Sequence, residues 1–244
     1  MARRLLAGWK VVCASVVSAL ALGCAEHSMT APQREASLAS ITTVGSTVAS
    51  GATGLRAEIA RLRQIAANPE LRSQYLVDMP SRSGATIEDL LAALQSAQRV
   101  SIGRTSIQSY AAVDSANTPR CFTGTGGDME CGDGYSTIGR NASPPNARDV
   151  TFAAGTLCTS GPACSRGLAR DLGGTMHTSM NPQGTPFVTK KSFDFHGPMP
   201  FATARYDVDV SGPAWNAAVE TDHWLQDNQG TTWPFASSAT SGPI

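Results

Sequence analysis

Hydrophobic positions follow two rhythms along this chain, and the change between them falls near Thr105. Before it the spacing is helical. Leu55, Ile59, Leu62 and Ile65 recur every three or four residues while Arg56, Arg61 and Arg63 fall elsewhere on the wheel, which predicts an amphipathic helix of about three turns. Asn68-Pro69 ends it, because the residue before proline avoids the α region. Glu70 to Val77 reads as a second short helix, broken by Met79-Pro80 and Gly84. Thr86 then N-caps a third, with Glu88 and Asp89 in the first turn, where negative charge suits the dipole. Its stripe is Ile87, Leu90, Leu91, Leu94 and Ala97. Both stripes predict core packing, against each other or against a sheet, and are too short for sustained heptads.

Beyond Thr105 the period is two. Val150–Phe152 and Thr175–Met180 read as strands. Phe187–Phe195 puts Phe187, Phe193 and Phe195 on one face, with Lys190 and Asp194 on the other. Ala202, Ala204, Tyr206, Val208 and Val210 alternate with Thr203, Arg205, Asp207 and Asp209. Ala217–Gln226 places Val219, Thr221, His223 and Leu225 on one side. Gly197-Pro198 and Gly212-Pro213 punctuate these runs, which argues for an antiparallel meander with one wet face. The fold class expected is α+β: an N-terminal helical layer, then an antiparallel β-sandwich or partial barrel.

The first 54 residues obey neither rhythm. Arg3, Arg4 and Lys10 precede an apolar run from Val11 to Leu22, too short for a comfortable transmembrane helix but suited to a secretory signal peptide. That run closes on Leu20-Ala21-Leu22-Gly23-Cys24. The segment resembles the lipobox of bacterial lipoprotein precursors, with the leucine and the small residue shifted by one position. The resemblance covers only the leader. It implies cleavage before Cys24, acylation of that thiol, and a mature protein held in the cell envelope by its lipid. Ala25 after the cysteine implies, on the same resemblance, passage to the outer membrane or cell surface; plain secretion is the alternative. Ala25 to about Gly54 has no aromatic residue and is rich in Ser, Thr, Ala and Gly, so a flexible tether is expected, with a short ordered piece at Leu38–Val48 where Ile41 and Val44 are β-branched. The division expected is therefore leader 1–23, lipidated cysteine and tether 24–54, helical region 55–105 and β-rich domain 106–244.

Charge removes one class of partner. The chain balances 19 basic and 19 acidic residues; without Arg3, Arg4 and Lys10 the balance is 16 against 19, about −3. That is no nucleic-acid footprint. Export changes how the cysteines read. Cys13 lies in the leader and Cys24 is the lipid site, leaving Cys121, Cys131, Cys158 and Cys164. An even number in an exported chain reads as two disulfides. Three pairings are possible; turn-rich stretches at Gly124–Asp128 and Ser160-Gly161-Pro162 favour Cys121–Cys131 and Cys158–Cys164. A four-thiolate zinc site would want closer cysteine pairs.

Common catalytic motifs are missing. There is no His-Glu-x-x-His, Walker loop or dinucleotide fingerprint, and Gly134-Tyr135-Ser136-Thr137-Ile138-Gly139 misses Gly-x-Ser-x-Gly by one. No cofactor or metal is assigned. Three constellations remain. Asp128, Glu130 and Asp133 straddle Cys131 and read as a solvated acidic turn rather than a calcium loop, since Asp133 stands where an EF-hand needs glycine. His177, His196 and His223, with Asp194 and Asp222, hold zinc or a general base only if they converge, which the sequence does not say. Trp215, Trp224 and Trp233 crowd the end of the chain, and alternation puts Trp224 with Glu220 and Asp222 on the polar face. There it either meets a sugar ring or protein partner, or covers the end of the sheet. Two functions stay open: a lipid-anchored, non-catalytic binding module for an envelope glycan or protein, and a secreted hydrolase or metal-dependent enzyme with an unfamiliar His/Asp site.

Overall fold

The computed structural model describes residues 39–79, 84–102, 120–123, 127, 129–142, 147–161, 164, 171–184, 188–212, 214–227 and 229–244. The leader, Cys24, Asp128 and Phe187 lie outside the described residues. The chain runs β1 (Ser40–Ser50), α1 (Gly51–Ala67), α2 (Pro69–Ser73), β2 (Leu76–Asp78), α3 (Ile87–Ile102), β3 (Arg120–Thr123), β4 (Met129–Ala142), β5 (Ala147–Ser160), β6 (Asp171–Pro182), β7 (Thr189–Pro198), β8 (Phe201–Ser211), β9 (Trp215–Gln226) and β10 (Thr232–Ser241). Two antiparallel sheets form a sandwich, not a closed barrel. The larger has the order β1-β8-β5-β4-β2, with β3 also on β4; the smaller has the order β10-β9-β6-β7.

The larger sheet is covered on both faces. Against the helices it turns Tyr135, Leu157 and Phe201, which pack with Leu55, Ile59 and Leu62 of α1 and Leu90, Leu94 and Ala97 of α3. Against the smaller sheet it turns Ile138, Phe152, Ala204, Tyr206 and Val208, which meet Leu172, Met176, Phe195, Val219 and Leu225. Both helical stripes thus pack as expected, on each other and on the sheet. Thr86 caps α3 reciprocally: its hydroxyl accepts from the Asp89 amide at 3.2 Å, and Asp89 accepts from the Thr86 amide at 2.8 Å.

The helical layer also carries charge into the core. Arg61, expected on the wet side of α1, donates to Glu58 at 2.6 and 2.9 Å and to the Tyr75 hydroxyl at 3.0 Å. The buried Tyr135 hydroxyl donates to Glu58 at 3.3 Å, and burial pushes that phenol well above its ordinary range. Two glycines make room for these rings, since a Cβ on Gly155 would stand 2.5 Å from the Tyr135 ring and one on Gly139 would stand 2.5 Å from Tyr75.

The structure redraws the expected boundaries. The short ordered piece expected within the tether at Leu38–Val48 is longer and is β1, Ser40–Ser50, an edge strand of the larger sheet paired with β8 from Ser40↔Ser211 to Ser50↔Ala202. Few of its side chains are buried, so composition alone resembled a linker; backbone pairing holds it. α1 starts at Gly51 rather than Leu55. The expected second helix shrinks to α2, and Leu76–Asp78 joins the sheet as β2. The larger sheet therefore takes strands from the regions called tether and helical as well as from the β-rich one. Glu130 and Asp133 are not in a solvated turn: both lie on β4 and are 3% and 2% exposed.

Candidate functional site

Alternation along the smaller sheet divides its residues cleanly. On β9, Trp215, Ala217, Val219, Thr221, His223 and Leu225 are buried, while Glu220 and Asp222 are exposed and Trp224 is half-buried. The wet face is the one expected. Registers across β7, β6, β9 and β10 then lay out its rows. Trp224 stands between Gly173 and Pro234, with His196 beyond the glycine. The next row is Asp194, Thr175, Asp222 and Ala236; the one after is Ser192, His177, Glu220 and Ser238. Gly173 thus stands beside the tryptophan and Ala236 beside Asp222, while Glu220 has His177 on one side and Ser238 on the other. Gly173 has no room for anything larger, since a Cβ there would meet the Phe195 carbonyl.

A shallow recess of about 310 Å³ lies along β9 and β10, bounded by Glu220, Asp222, Ala236, Ser238 and Asp78. Asp78 reaches it from β2 and accepts the Ser238 amide at 2.9 Å. The remaining polar side chains of the face pair across strands. His177 Nδ1 lies 2.8 Å from Ser192 Oγ and its Nε2 lies 3.6 Å from Asp222; His196 Nδ1 lies 3.2 Å from Asp171; Thr175 donates to Asp194 at 2.7 Å.

The histidines do not form one site. His177 and His196 are on the wet face, whereas His223 is 1% exposed between the sheets, on the opposite side of β9. Its surroundings fix its tautomer. Thr156 Oγ1 spends its hydrogen on the Gly173 carbonyl at 2.8 Å, so it accepts from His223 Nδ1–H at 2.9 Å. Nε2 is then the acceptor and takes the Ser237 hydroxyl at 2.7 Å. Ser237 in turn accepts from Ser136 at 2.7 Å, and Ser136 from Thr221 at 2.8 Å. Five polar side chains therefore run head to tail through an apolar interior, each donor used once. The imidazole stacks on Phe235 at 5.2 Å, and burial lowers its pKa to about 3. A neutral imidazole with hydroxyl partners on both nitrogens is a core fixture. Gly134 is what admits it: a Cβ there would come within 2.8 Å of three ring atoms.

The other tryptophans are structural. Trp215 is buried and donates to the Ser211 carbonyl at 3.1 Å; Trp233 stacks on Phe122 with centroids 5.5 Å apart. The cysteines pair as Cys121–Cys131 and Cys158–Cys164, the local pairing favoured from sequence. The first joins β3 to β4 at a direct cross-strand position. Glu130 lies beside the second, whose sulfurs are committed to each other and so offer no thiolate to a metal. Sequence reasoning missed Gly173, Pro234 and Asp78, because only the register and the approach of β2 to β10 bring them beside the patch.

No protein-family model, curated protein or solved structure matches this chain. Among the described residues no helix is long and apolar enough to cross a membrane.

Proposed function

We propose that this is a lipid-anchored protein of the cell envelope that binds an envelope glycan, without catalysis, on the outer face of its smaller sheet. The observation that carries the reading is Trp224, half-buried on a polar face between Gly173 and Pro234, with Glu220 and Asp222 in the next rows along β9. An indole standing among small residues offers its face to the apolar side of a sugar ring, and removing that surface from water is favourable. Carboxylates beside it accept sugar hydroxyls. Asp78, Glu220 and Asp222 around one recess also repel polyanions, which favours a neutral or amine-bearing glycan over a phosphorylated one. The anchor rests on the leader: the basic residues, the apolar run and Gly23-Cys24.

A secreted hydrolase is the competing reading, favoured by the approach of His177 to Asp222 on this same face. One experiment separates the two. Purified protein is incubated with envelope glycan stripped of protein, and both bound fraction and soluble products are measured. Binding that needs Trp224 and releases no fragments supports the module. Fragments that disappear in His177→Ala support the hydrolase. Absence of both binding and cleavage sinks the glycan reading, and retention only by unstripped envelope redirects it to a protein partner.

A further inference from the structure

Sheet edges need guarding, because unpaired N–H and C=O groups template pairing with another chain. Three of the edge positions here carry a recognised guard. β10 has Pro234 in the strand, and the Ser238 amide is capped by Asp78. β2 and β3, at the far side of the larger sheet, are three and four residues long. β7 carries Lys190, Lys191 and Asp194. β1 differs. It is 11 residues long, pairs among the described residues on one side only, and holds neither a charge nor a proline from Ser40 to Ser50. Two of its side chains are large, apolar and exposed: Val44 at 63% and Val48 at 56%. Its one irregularity is a bulge: Val44 is the extra residue where the β8 register shifts between Thr43 and Gly45, a local guard that leaves Gly45 to Ser50 regularly paired. Lys191, an exposed charge of β7 beside β1, is engaged by it, its ammonium 3.1 Å from Thr43 Oγ1 and 5.1 Å from the Tyr206 ring centroid.

We propose that β1 is a self-association edge, and that two copies of this chain pair antiparallel along it about a two-fold axis at Ser46. The strand's own pattern selects this occupant and register. In an antiparallel pair centred on Ser46, Val44 of one copy lies opposite Val48 of the second and Val48 opposite Val44, so both exposed valines of both copies are covered by one isologous contact. Gly45 then faces Thr47, and Ser46 faces itself. An uncharged edge meets its own copy without the repulsion that like charges directly opposite would bring. The outcome is a sheet continued across the two-fold, with the two glycan faces on the separate smaller sheets and free in both copies.

The axis position gives a direct test. A residue on the two-fold sits opposite its own copy with Cα atoms about 4.5–5.5 Å apart, inside the range a disulfide spans. Ser46→Cys in the full chain, mildly oxidised and run without reductant, should give a covalent dimer in high yield. Thr240→Cys on β10 and the parent chain, with the native cysteines alone, serve as controls. Adding Val48→Lys should abolish the cross-link while leaving the melting temperature within about a degree, because Val48 is exposed. Sedimentation of the parent protein should show a dimer that Val48→Lys converts to monomer. A Ser46→Cys yield no higher than that of Thr240→Cys overturns the proposal, as does a cross-link that survives Val48→Lys or a parent protein monomeric at hundreds of micromolar. Glycan binding is unaffected by either result.

Discussion

Acid should destabilise this protein through a single buried imidazole. His223 is enclosed between the sheets, and burial lowers its pKa from the ordinary 6.5 to about 3. In the unfolded chain it takes a proton near 6.5; in the folded chain it resists until about 3. The unfolded state therefore binds more protons throughout that window. The stability involved is fully present above 6.5 and is lost as pH falls toward 3. At about 1.36 kcal/mol per pKa unit, the full loss is roughly 5 kcal/mol, of which about 2 kcal/mol falls between pH 7 and pH 5. That upper part is the useful part, since ordinary carboxylates stay ionised there. Urea unfolding at several pH values between 7.5 and 5, with disulfides intact, measures it against His223→Gln. The variant should be weaker at every pH, by about 1–3 kcal/mol for the hydrogen bonds it leaves incomplete. Its stability should nevertheless change less between pH 7 and 5, by the 2 kcal/mol assigned to the imidazole. Every other titrating group is common to the two proteins and cancels. Parallel pH curves for the two would refute the buried, neutral His223 and the head-to-tail chain through it.

Gly134→Ala should be costly for the same reason, because its methyl would stand 2.6–2.8 Å from three atoms of the His223 ring; a loss of about 1–3 kcal/mol or more is expected in urea unfolding. A truncated protein beginning at Gly51 lacks β1 and bares the edge of β8, so it should melt well below the chain beginning at Ala25, as thermal circular dichroism would show. Equal melting would mean that β1 contributes nothing to the fold. Cys24→Ser should leave the membrane fraction or stall in processing, scored by fractionation and intact mass.

What the sequence revealed depended on how many faces of an element are wet. β9 and β8 were legible because one side of each meets a core while the other is at least partly solvated, so Val219, Thr221, His223 and Leu225 alternate visibly with Glu220, Asp222 and Trp224. β4 was not, because helices cover one of its faces and the smaller sheet the other. Its polar residues are buried with internal partners, as Ser136 is with Thr221 and Ser237, and glycines stand where rings from other layers intrude. β10 failed for the opposite reason, and for that reason β1 showed only as a short ordered piece at Leu38–Val48. Their Ser, Thr and Ala side chains carry little hydrophobic signal, and ladder pairing with β8 and β9 places them. The helical stripes were plain, yet Arg61 was misplaced, because periodicity cannot show that Glu58 and Tyr75 receive a guanidinium inside. Trp224 was found by alternation alone. Its neighbours Gly173 and Pro234 needed cross-strand register, which no single strand contains.

The proposed glycan face is tested most directly at the Trp224 indole itself. Beyond the expected leader, which holds Trp9, the chain has three tryptophans, and two have partners in the core: Trp215 donates to the Ser211 carbonyl and Trp233 stacks on Phe122. Their indole N–H resonances, with that of Trp224 assigned by its loss in Trp224→Ala, can be followed as soluble fragments of envelope glycan are added. The Trp224 signal should shift or broaden in a saturable way while those of Trp215 and Trp233 hold still, and Glu220→Gln with Asp222→Asn should weaken the midpoint by roughly tenfold, the equivalent of about 1.4 kcal/mol. A Trp224 resonance unmoved by every fragment that the protein demonstrably binds would contradict the account and place recognition elsewhere on the molecule.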